Sequence, residues 1–449
     1  MKNKFWIILI LSTLLLTMAC SLINPALENL KQGDTYRDQK QWDQAIAEYG
    51  KAIEKNPGLA AAYSSRGGVY CDKGQWDKAL GDLNKAIEID PLYAQAYVNR
   101  ARAYLGKEQQ FDKAIADASK AIELEPKIAM AYTYRGQAYY GKGDLDKAIA
   151  DGDKAISLDP SATQAYLIRA LSAHAKGELD TAMADYDKVI GLDPQMAMAY
   201  ANRGRAFQAM RQFDKAIADC NKAVELDPGI PLAYYARGLA HHGKGEFTEA
   251  IADYDKAVGL FPQYTEAFLV RGMLYGSQGE FNKAIADFSR VIELDPAMVV
   301  AYTGRGSMYQ AKGEPDKAIK DFDNAIKLAP GLSVVYAYRG IVYRDKGKLD
   351  EAITDLSKAI ELDPKMVEAY VNRGLAYQLM VKPDKALADY DKAIEISPDF
   401  AYAYYCRGLA YVELKQAARA IVDFQECVKV SSDPALKEKA QQQLKRLGK

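Results

Sequence analysis

Histidine and cysteine are scarce in this chain, whose 449 residues include three of the former and five of the latter. The histidines are His174, His241 and His242, and no acidic or cysteine residues accompany them at the spacings of a metal site. The cysteines form no CxxC pair, and neither a Gly-rich phosphate loop nor a Ser-His-Asp order is present. We therefore expect no metal, no cofactor and no catalytic residue, and the sequence does not predict an enzyme.

A basic excess is missing as well, because 59 Lys and Arg residues stand against 60 Asp and Glu residues, for a net charge of −1. Proteins that bind nucleic acids neutralise phosphates with a basic stripe. The composition, 27% charged and 49% hydrophobic, is that of an ordinary folded protein. We therefore expect neither nucleic acid nor a small-molecule substrate as the partner.

One long apolar run stands out, from Phe5 to Leu16. Lys2 and Lys4 precede this run, and the small residue Ala19 follows it. The run is short for a membrane span, and its flanks are those of a secretory signal with a cleavage site. We therefore predict a signal peptide over residues 1–19.

The stretch from Thr17 to Cys20 resembles a bacterial lipobox, whose cysteine becomes acylated. The resemblance implies lipidation of Cys20 and a short lipidated tether over residues 20–25. The residue after this cysteine is Ser21 rather than Asp, which resembles the pattern of lipoproteins that are sorted to the outer membrane. We expect a lipid-anchored protein of the bacterial cell envelope, on the outer membrane and facing the periplasm. An uncleaved membrane anchor and plain secretion are the alternatives.

The strongest pattern is a proline that returns at nearly constant intervals. Every interval is 34 residues except the one from Pro91 to Pro126, which is 35. A fixed period in the range of about 20–50 residues indicates an array of stacked repeats. The prolines are Pro57, Pro91, Pro126, Pro160, Pro194, Pro228, Pro262, Pro296, Pro330, Pro364 and Pro398.

Each repeat predicts two helices when Ala60 is counted as position 1. Position 4 is aromatic in copies two to twelve, position 8 is small and position 11 is usually Tyr, which places them on one helical face. A Gly near position 15 favours the end of the first helix, and the proline at position 32 ends the second. Position 20 is Ala in every copy, from Ala45 to Ala420. We interpret this Ala as a crossing too close for a larger side chain.

This pattern of positions 4, 8, 11, 20, 24, 27 and 32 resembles the tetratricopeptide repeat. The resemblance implies an all-α fold: a right-handed superhelical solenoid of about 12 helix pairs over residues 26–434. A capping helix over residues 435–449 is expected to cover the last pair through the apolar stripe of Leu436, Ala440, Leu444 and Leu447. The family binds peptides or proteins, and the resemblance implies no reaction.

Two charged residues recur at fixed positions, and the first of them departs from the family pattern. Position 7 is Arg in copies two to twelve, from Arg66 to Arg407, where the family commonly has Leu, and position 23 is Asp in the same copies. A charge on a packing face needs a partner, so we expect an Arg–Asp ladder that joins helices along the array. The alternative is that each Asp pairs only with Lys on its own helix, as Lys78 and Lys85 around Asp82 allow.

The variable positions of the first helices are expected to hold the binding site. In the family these are chiefly positions 2, 5, 6, 9, 12 and 13, here termed the groove positions. The Lys that chaperone-binding members carry at position 5 is absent, so no carboxylate clamp is expected. Amides can bond a peptide backbone, and tyrosines add flat contact area. The predicted partner-binding residues are Asn99, Arg102, Tyr134, Gln137, Tyr140, Asn202, Arg205, Gln208, Tyr235, His242, Tyr338 and Asn372.

The function expected from these features is a membrane-tethered scaffold, an adaptor or assembly factor that binds other proteins. The alternative is a structural solenoid that self-assembles and has no specific peptide ligand. Copies three and four are expected to be the softest, because position 24 is Ala118 and Gly152 there. Other copies carry a ring at this position, as at Tyr186, Tyr254, Phe288 and Phe322.

Overall fold

The computed structural model describes residues 25–448, which form 25 helices and no strand. The signal peptide over residues 1–19, the lipidation site at Cys20 and nearly all of the tether lie outside the described residues. None of the helices in the described range is both long and apolar enough to cross a membrane. The helices occur as first and second helices of successive repeats, with one more at the end. This arrangement confirms the all-α class and the solenoid of about 12 helix pairs with a terminal helix.

The chain divides into two compact units, of which the first ends at Glu246. Its odd-numbered helices are the first helices of their repeats, and its even-numbered helices are the second. The first unit comprises α1 (Pro25–Asp38), α2 (Trp42–Lys55), α3 (Ala60–Asp72), α4 (Trp76–Ile89), α5 (Ala94–Gly106), α6 (Phe111–Leu124), α7 (Ala129–Lys142), α8 (Leu145–Leu158), α9 (Thr163–Lys176), α10 (Leu179–Leu192), α11 (Ala197–Ala209), α12 (Phe213–Leu226) and α13 (Pro231–Lys244).

The second unit begins at Phe247, with the second helix of the seventh repeat. The same alternation continues through five complete repeats to a terminal helix. The second unit comprises α14 (Phe247–Leu260), α15 (Thr265–Ser277), α16 (Phe281–Leu294), α17 (Val299–Ala311), α18 (Pro315–Leu328), α19 (Ser333–Asp345), α20 (Leu349–Leu362), α21 (Val367–Leu379), α22 (Pro383–Ile396), α23 (Ala401–Glu413), α24 (Ala417–Val430) and α25 (Pro434–Arg446).

The two helices of a repeat cross closely at positions 8 and 20. In the pair α11/α12, Ala216 at position 20 is fully buried. A Cβ added to Gly204, at position 8, would lie 2.7 Å from Cys220 Sγ and 3.1 Å from the carbonyl oxygen of Ala216. The first distance is closer than real Cβ atoms come to other heavy atoms, and the second is tighter than most Cβ contacts, so the crossing favours small residues on both sides. This geometry is the reason for the Ala at position 20.

The turn between the helices of a repeat needs a left-handed backbone. Gly supplies it at Gly143 and Gly347, with φ of 81° and 74°. Non-glycine residues adopt the same conformation elsewhere, among them Val381 with a φ of 57°. The extra residue of copy three lengthens this turn, where Glu108 and Gln109 both have positive φ. A β-branched side chain is strained in this region, so position 381 carries a local cost.

The Arg–Asp ladder is present in both units. In each repeat for which the contact is described, the Nε and Nη2 atoms of Arg at position 7 donate to the two carboxylate oxygens of Asp at position 23, at 2.7 to 2.9 Å. The Asp side chains are nearly buried, so the paired guanidinium compensates a charge that would otherwise be costly. The pairs are Arg66–Asp82, Arg100–Asp117, Arg135–Asp151, Arg169–Asp185, Arg203–Asp219, Arg271–Asp287, Arg305–Asp321, Arg339–Asp355, Arg373–Asp389 and Arg407–Asp423.

The same arginines also reach the preceding repeat. The Nη1 atom of Arg169 donates to Asp153 at 2.5 Å, and that of Arg100 donates to Asn84 at 2.9 Å. The acceptor stands at position 25 in every case and is Asn, Ser or Asp. Arg66 is an exception, because Gly50 occupies position 25 of the first repeat. Each Arg for which both contacts are described therefore joins the second helices of two consecutive repeats, which confirms the ladder and excludes pairing of Asp with its own helix alone.

The terminal helix α25 covers the last pair. The side chain of Asp433 accepts a hydrogen bond from the amide of Ala435 at 2.9 Å, which caps the start of the helix. Ala440 is fully buried in a cluster with Phe424, and Leu444 packs against the same cluster. The apolar stripe predicted for the capping helix therefore faces the core.

Candidate functional site

The groove positions of successive first helices form one surface in each unit, here termed the first-helix face. Neighbouring first helices contact one another directly along this face. In the first unit it carries two cavities, one on each side of Arg102. These cavities are the concave features that the groove positions line, so they are the candidate functional site.

The larger cavity has a volume of about 440 Å³. It lies between first helices α5, α7 and α9 and next to the start of α4. Three predicted partner-binding residues, Arg102, Tyr134 and Gln137, meet in its wall. The other lining residues are Trp76, Leu105, Gly106 and Gln164.

The smaller cavity has a volume of about 340 Å³ and lies between α1, α3 and α5. Two predicted residues, Asn99 and Arg102, contribute to its wall. Arg102 therefore separates the cavities and lines both. The other lining residues are Asp34, Arg37, Ser65, Gly68, Asp72, Tyr93 and Gln95.

The charges in the two cavities are paired. Arg102 Nη2 donates to Asp72 Oδ1 at 2.7 Å, and Arg37 Nη1 lies 3.0 Å from Asp34 Oδ1. Burial raises the pKa of Tyr134, so its hydroxyl stays protonated and can donate. The site therefore presents neutral donors and acceptors around compensated charges, which suits a polar peptide segment better than a highly charged ligand.

Asn99 and Asn202 make different use of their amides. Asn99 is partly exposed, and its Nδ2 atom donates to the carbonyl and the hydroxyl of Ser64, both at 3.2 Å. Asn202 is only 3% exposed, and its Nδ2 atom donates to the carbonyl of Met198 at 2.9 Å. Asn202 therefore offers a partner almost no surface in this structure, although the sequence predicts it as a contact residue.

Tyr134 is a core residue as well as a cavity residue. It packs against a buried cluster that contains Ala118, at position 24 of the preceding repeat. In the next repeat, Ile168 is 6% exposed, and a Cβ on Gly152 would lie 3.0 Å from the Cβ of Arg169. Tyr134 beside Ala118 and the stem of Arg169 beside Gly152 thus occupy space next to the small residues at position 24. The structure therefore removes the void on which the expected softness of copies three and four partly rested.

Tyr338, in contrast to Tyr134, has a large aromatic neighbour and an exposed ring. Its ring centroid lies 6.0 Å from that of Phe322, which fills position 24 of the preceding repeat. Tyr338 is 37% exposed, because the space beneath it is already occupied. Of the predicted aromatic residues, Tyr338 is therefore more available to a partner than Tyr134.

Tyr140, Arg205, Gln208, Tyr235 and His242 lie on α7, α11 and α13 and are all partly exposed. They belong to the first-helix face of the first unit, beyond the two cavities. The predicted residues therefore do not all lie in one cavity, although they occupy equivalent positions of their repeats.

In the second unit the predicted residue Asn372 bonds within the wall. Its Oδ1 atom accepts from Arg344 Nη1, and its Nδ2 atom donates to the carbonyl of Glu368 at 2.6 Å. In the repeat that follows Asn372, the rings of Tyr402 and Tyr405 stack on each other with their centroids 6.4 Å apart, and Tyr402 is 41% exposed. These two tyrosines stand at groove positions 2 and 5 of the last repeat and were not selected from the sequence.

Several cavity residues are not among the predicted partner-binding residues. Asp34, Asp72 and Gln164 stand at groove positions, so their positions in the repeat are a sequence signal for them. Trp76 and Tyr93 lie outside the groove positions, just at the start of α4 and before α5. No sequence signal available here points to either aromatic residue. Among the described residues, no group of three or more His, Cys, Asp or Glu side chains is placed to hold a metal ion.

Family models described as "TPR repeat" or "Tetratricopeptide repeat" match most of the chain. A search of curated proteins finds no match. The matched residues are 33–70, 67–108, 98–163, 153–197, 202–265, 265–298, 299–332, 340–381, 367–400 and 389–422.

Several solved structures are similar to the chain. Yeast Tom70 is 19% identical, with 94% of this chain and 95% of that chain covered and a TM-score of 0.41. The Cut9–Hcn1 hetero-tetramer of the APC/C gives 16% identity, coverage of 95% and 99%, and a TM-score of 0.49. YrrB, described as a TPR protein with an unusual peptide-binding site, gives 25% identity, coverage of 41% and 95%, and a TM-score of 0.37.

Proposed function

The chain belongs to the tetratricopeptide repeat family, and on that premise we propose that it is a scaffold for protein–protein interaction. Its first-helix face in the first unit binds extended peptide segments of partner proteins, centred on the two cavities beside Arg102. This surface binds partners and does not catalyse a reaction.

The observation that carries the proposal is the contrast between constant and variable positions. The ladder positions 7 and 23 are identical in copies two to twelve, whereas the cavity walls combine Gln, Asn, Tyr, Trp and paired charges without repetition. A surface that reads different residues of a partner requires such variation. Amides near a peptide backbone and aromatic rings supply contacts of the kind that adaptable binding surfaces use.

The membrane attachment is part of the proposal. Residues 1–20 supply its support, through the apolar run, the lipobox-like stretch and Cys20. A lipid at Cys20 would hold the scaffold at the surface of the bacterial cell envelope, on the outer membrane and facing the periplasm. A single short tether would keep the first repeats, and with them the two cavities, near that surface.

Site-specific photo-crosslinking tests the binding face. Gln137 and Gln164 are exposed residues of the larger cavity, and a benzoylphenylalanine placed at either position should crosslink to partner proteins in envelope extracts. Gln195 and Gln263 are exposed glutamines in turns and provide matched control positions. The double variant Gln137→Ala/Gln164→Ala should recover less of the same partners, while Gln195→Ala/Gln263→Ala should recover them at the wild-type level. Equal crosslinking from both pairs of positions would reject this face as the binding site.

A further inference from the structure

Arg205 has no charged neighbour at the surrounding groove positions. At the groove positions of α7, α9, α11 and α13, all within the described chain, no other residue is Asp, Glu, Lys or Arg. The neighbours at these positions are apolar or neutral polar residues, such as Gln137, Tyr140 and Gln208. A single positive charge therefore stands in an otherwise uncharged part of the first-helix face.

No acidic side chain compensates this charge. Across the described residues, Arg205 makes no hydrogen bond and no ion pair, unlike Arg102, which Asp72 neutralises at 2.7 Å. Two of the three carboxylates of the adjacent helix α10 are engaged elsewhere, and the third, Asp180, is exposed and forms no ion pair with Arg205. Asp185 is bound by Arg169 at 2.7 Å, and Asp187 is bound by Arg203 at 2.6 Å.

The nearest titratable partner on the preceding first helix is also neutral. Burial, and after it the charge of Arg205, lowers the pKa of His174 to about 4. His174 Nδ1 lies 3.4 Å from the hydroxyl of Tyr186, which is fully buried. Near neutral pH, neither group supplies a negative charge, so the guanidinium keeps its full attraction for an anion.

We propose that Arg205 is a subsite for a carboxylate of the bound peptide, from an acidic side chain or from the C-terminus. This inference rests on the proposed peptide-binding function and names a feature of its ligand. A guanidinium binds a carboxylate through two parallel hydrogen bonds, and such charge-assisted bonds are stronger than neutral ones. The partial burial of Arg205 and the uncharged surroundings reduce screening, which strengthens the attraction. A phosphorylated ligand would be expected to meet a cluster of arginines rather than one.

Peptide selection on the purified full-length chain, kept in mild detergent, tests the subsite. Two random peptide libraries are used, one with free C-termini and one with C-termini blocked by a fixed neutral extension. Selection is repeated with Arg205→Gln and with Arg211→Gln, which removes the same charge from an exposed turn residue outside the groove positions. Melting curves show whether the variants remain folded.

We expect the wild-type chain and Arg211→Gln to enrich acidic peptides, or peptides with free C-termini, and Arg205→Gln to select peptides without that preference. For a selected peptide, Arg205→Gln should lower affinity about tenfold or more, and amidation of the peptide carboxylate should have no further effect on this variant. Enrichment in the blocked library indicates an acidic side chain, and enrichment only in the free library indicates a C-terminus.

Two results would overturn the subsite while leaving the binding function intact: peptides selected by the wild type without any carboxylate preference, or a preference that Arg205→Gln retains. An equal loss in Arg205→Gln and Arg211→Gln would also overturn it, because general electrostatic attraction would then explain the preference. If no peptide is selected from either library, the proposed peptide-binding function fails, and the subsite fails with it.

Discussion

Gly304 of α17 lies against the ring of Phe288 in the preceding repeat, so that a Cβ at position 304 would come within 2.8 Å of Phe288 Cζ. The pair joins position 24 of one repeat to position 6 of the next. The same two positions hold Ala118 and Tyr134 in another part of the array, where the larger side chain comes from the other partner. Packing between repeats therefore depends on the summed volume of these two positions.

This relationship predicts compensation between Phe288 and Gly304. Gly304→Tyr should overpack the site and cost about 1–3 kcal/mol, and Phe288→Ala should leave a cavity and cost about 3–5 kcal/mol. The double variant places Ala and Tyr as at Ala118 and Tyr134, so its loss should be at least about 1 kcal/mol smaller than the sum.

Denaturant unfolding of the four proteins measures this coupling. Gly259→Tyr is the matched control, because Gly259 lies in helix α14 and a Cβ there meets no atom within 4 Å. This control should leave stability nearly unchanged. Additive losses in the double variant would show that the two positions do not share a space.

The ladder predicts that its two contacts, from Arg to the buried Asp of the same repeat and from Arg to the preceding repeat, contribute unequally to stability. Arg169→Met leaves the Asp185 side chain, which is only 5% exposed, without its cation, and should cost about 3 kcal/mol. Asp153→Ala removes only the bond to the preceding repeat, at a side chain 59% exposed, and should cost less than about 1 kcal/mol.

Hydrogen exchange of α9 and α10 reports these losses locally, because repeat arrays are stabilised by nearest neighbours. Arg169→Met/Asp185→Leu should recover part of the loss, since it removes the buried charge. Equal losses for Arg169→Met and Asp153→Ala would contradict the assignment of Asp185 as the principal partner.

The left-handed turn predicts a stabilising substitution. Val381 has a φ of 57° and is 85% exposed, so its side chain contributes strain and little packing. Val381→Gly should raise stability by about 1 kcal/mol. Gly347 stands at the same repeat position with a φ of 74°, and no atom lies within 4 Å of a Cβ there. The reverse change, Gly347→Val, should therefore lower stability by a similar amount, and thermal melting compares the two. A loss of stability in Val381→Gly would show that the valine makes contacts that outweigh its strain.

Acid should weaken the packing around His174. The folded chain holds the pKa of His174 at about 4, mainly by burial, whereas an unfolded histidine titrates near 6.5. Between these values the unfolded state binds a proton that the folded state does not, so stability falls as pH drops from about 6.5 towards 4. His174→Gln should remove up to about 2 kcal/mol of the loss between pH 7 and pH 5. Urea unfolding at both pH values checks this, and parallel losses in wild type and variant would contradict it.

The lipid anchor is tested at Cys20. Cys20→Ser should abolish labelling by a radioactive or alkyne fatty acid and release the protein from the membrane fraction or leave its precursor uncleaved. The repeats should still fold, because they begin beyond the modified residue. Unchanged labelling and membrane association in the variant would contradict lipidation at this cysteine.

The sequence by itself determined the repeated architecture. The proline period, the Ala at position 20 and the recurrence of Arg and Asp predicted helix pairs, their close crossing and the ladder. These features recur in nearly all copies because they depend on contacts between fixed positions of adjacent helices. A constant geometry therefore leaves a periodic signal, which a single sequence displays many times over.

Only the tertiary structure decided which groove residues a partner can reach. Position 6 faces both the groove and the second helix of the preceding repeat, so its exposure depends on the residue at position 24 there. Asn202 is buried, Tyr134 is shared between core and cavity, and Tyr338 is displaced towards solvent by Phe322. The larger cavity likewise depends on Trp76, which lies outside the groove positions. Such exposure results from the volumes of several side chains in three dimensions, and no single position carries that information.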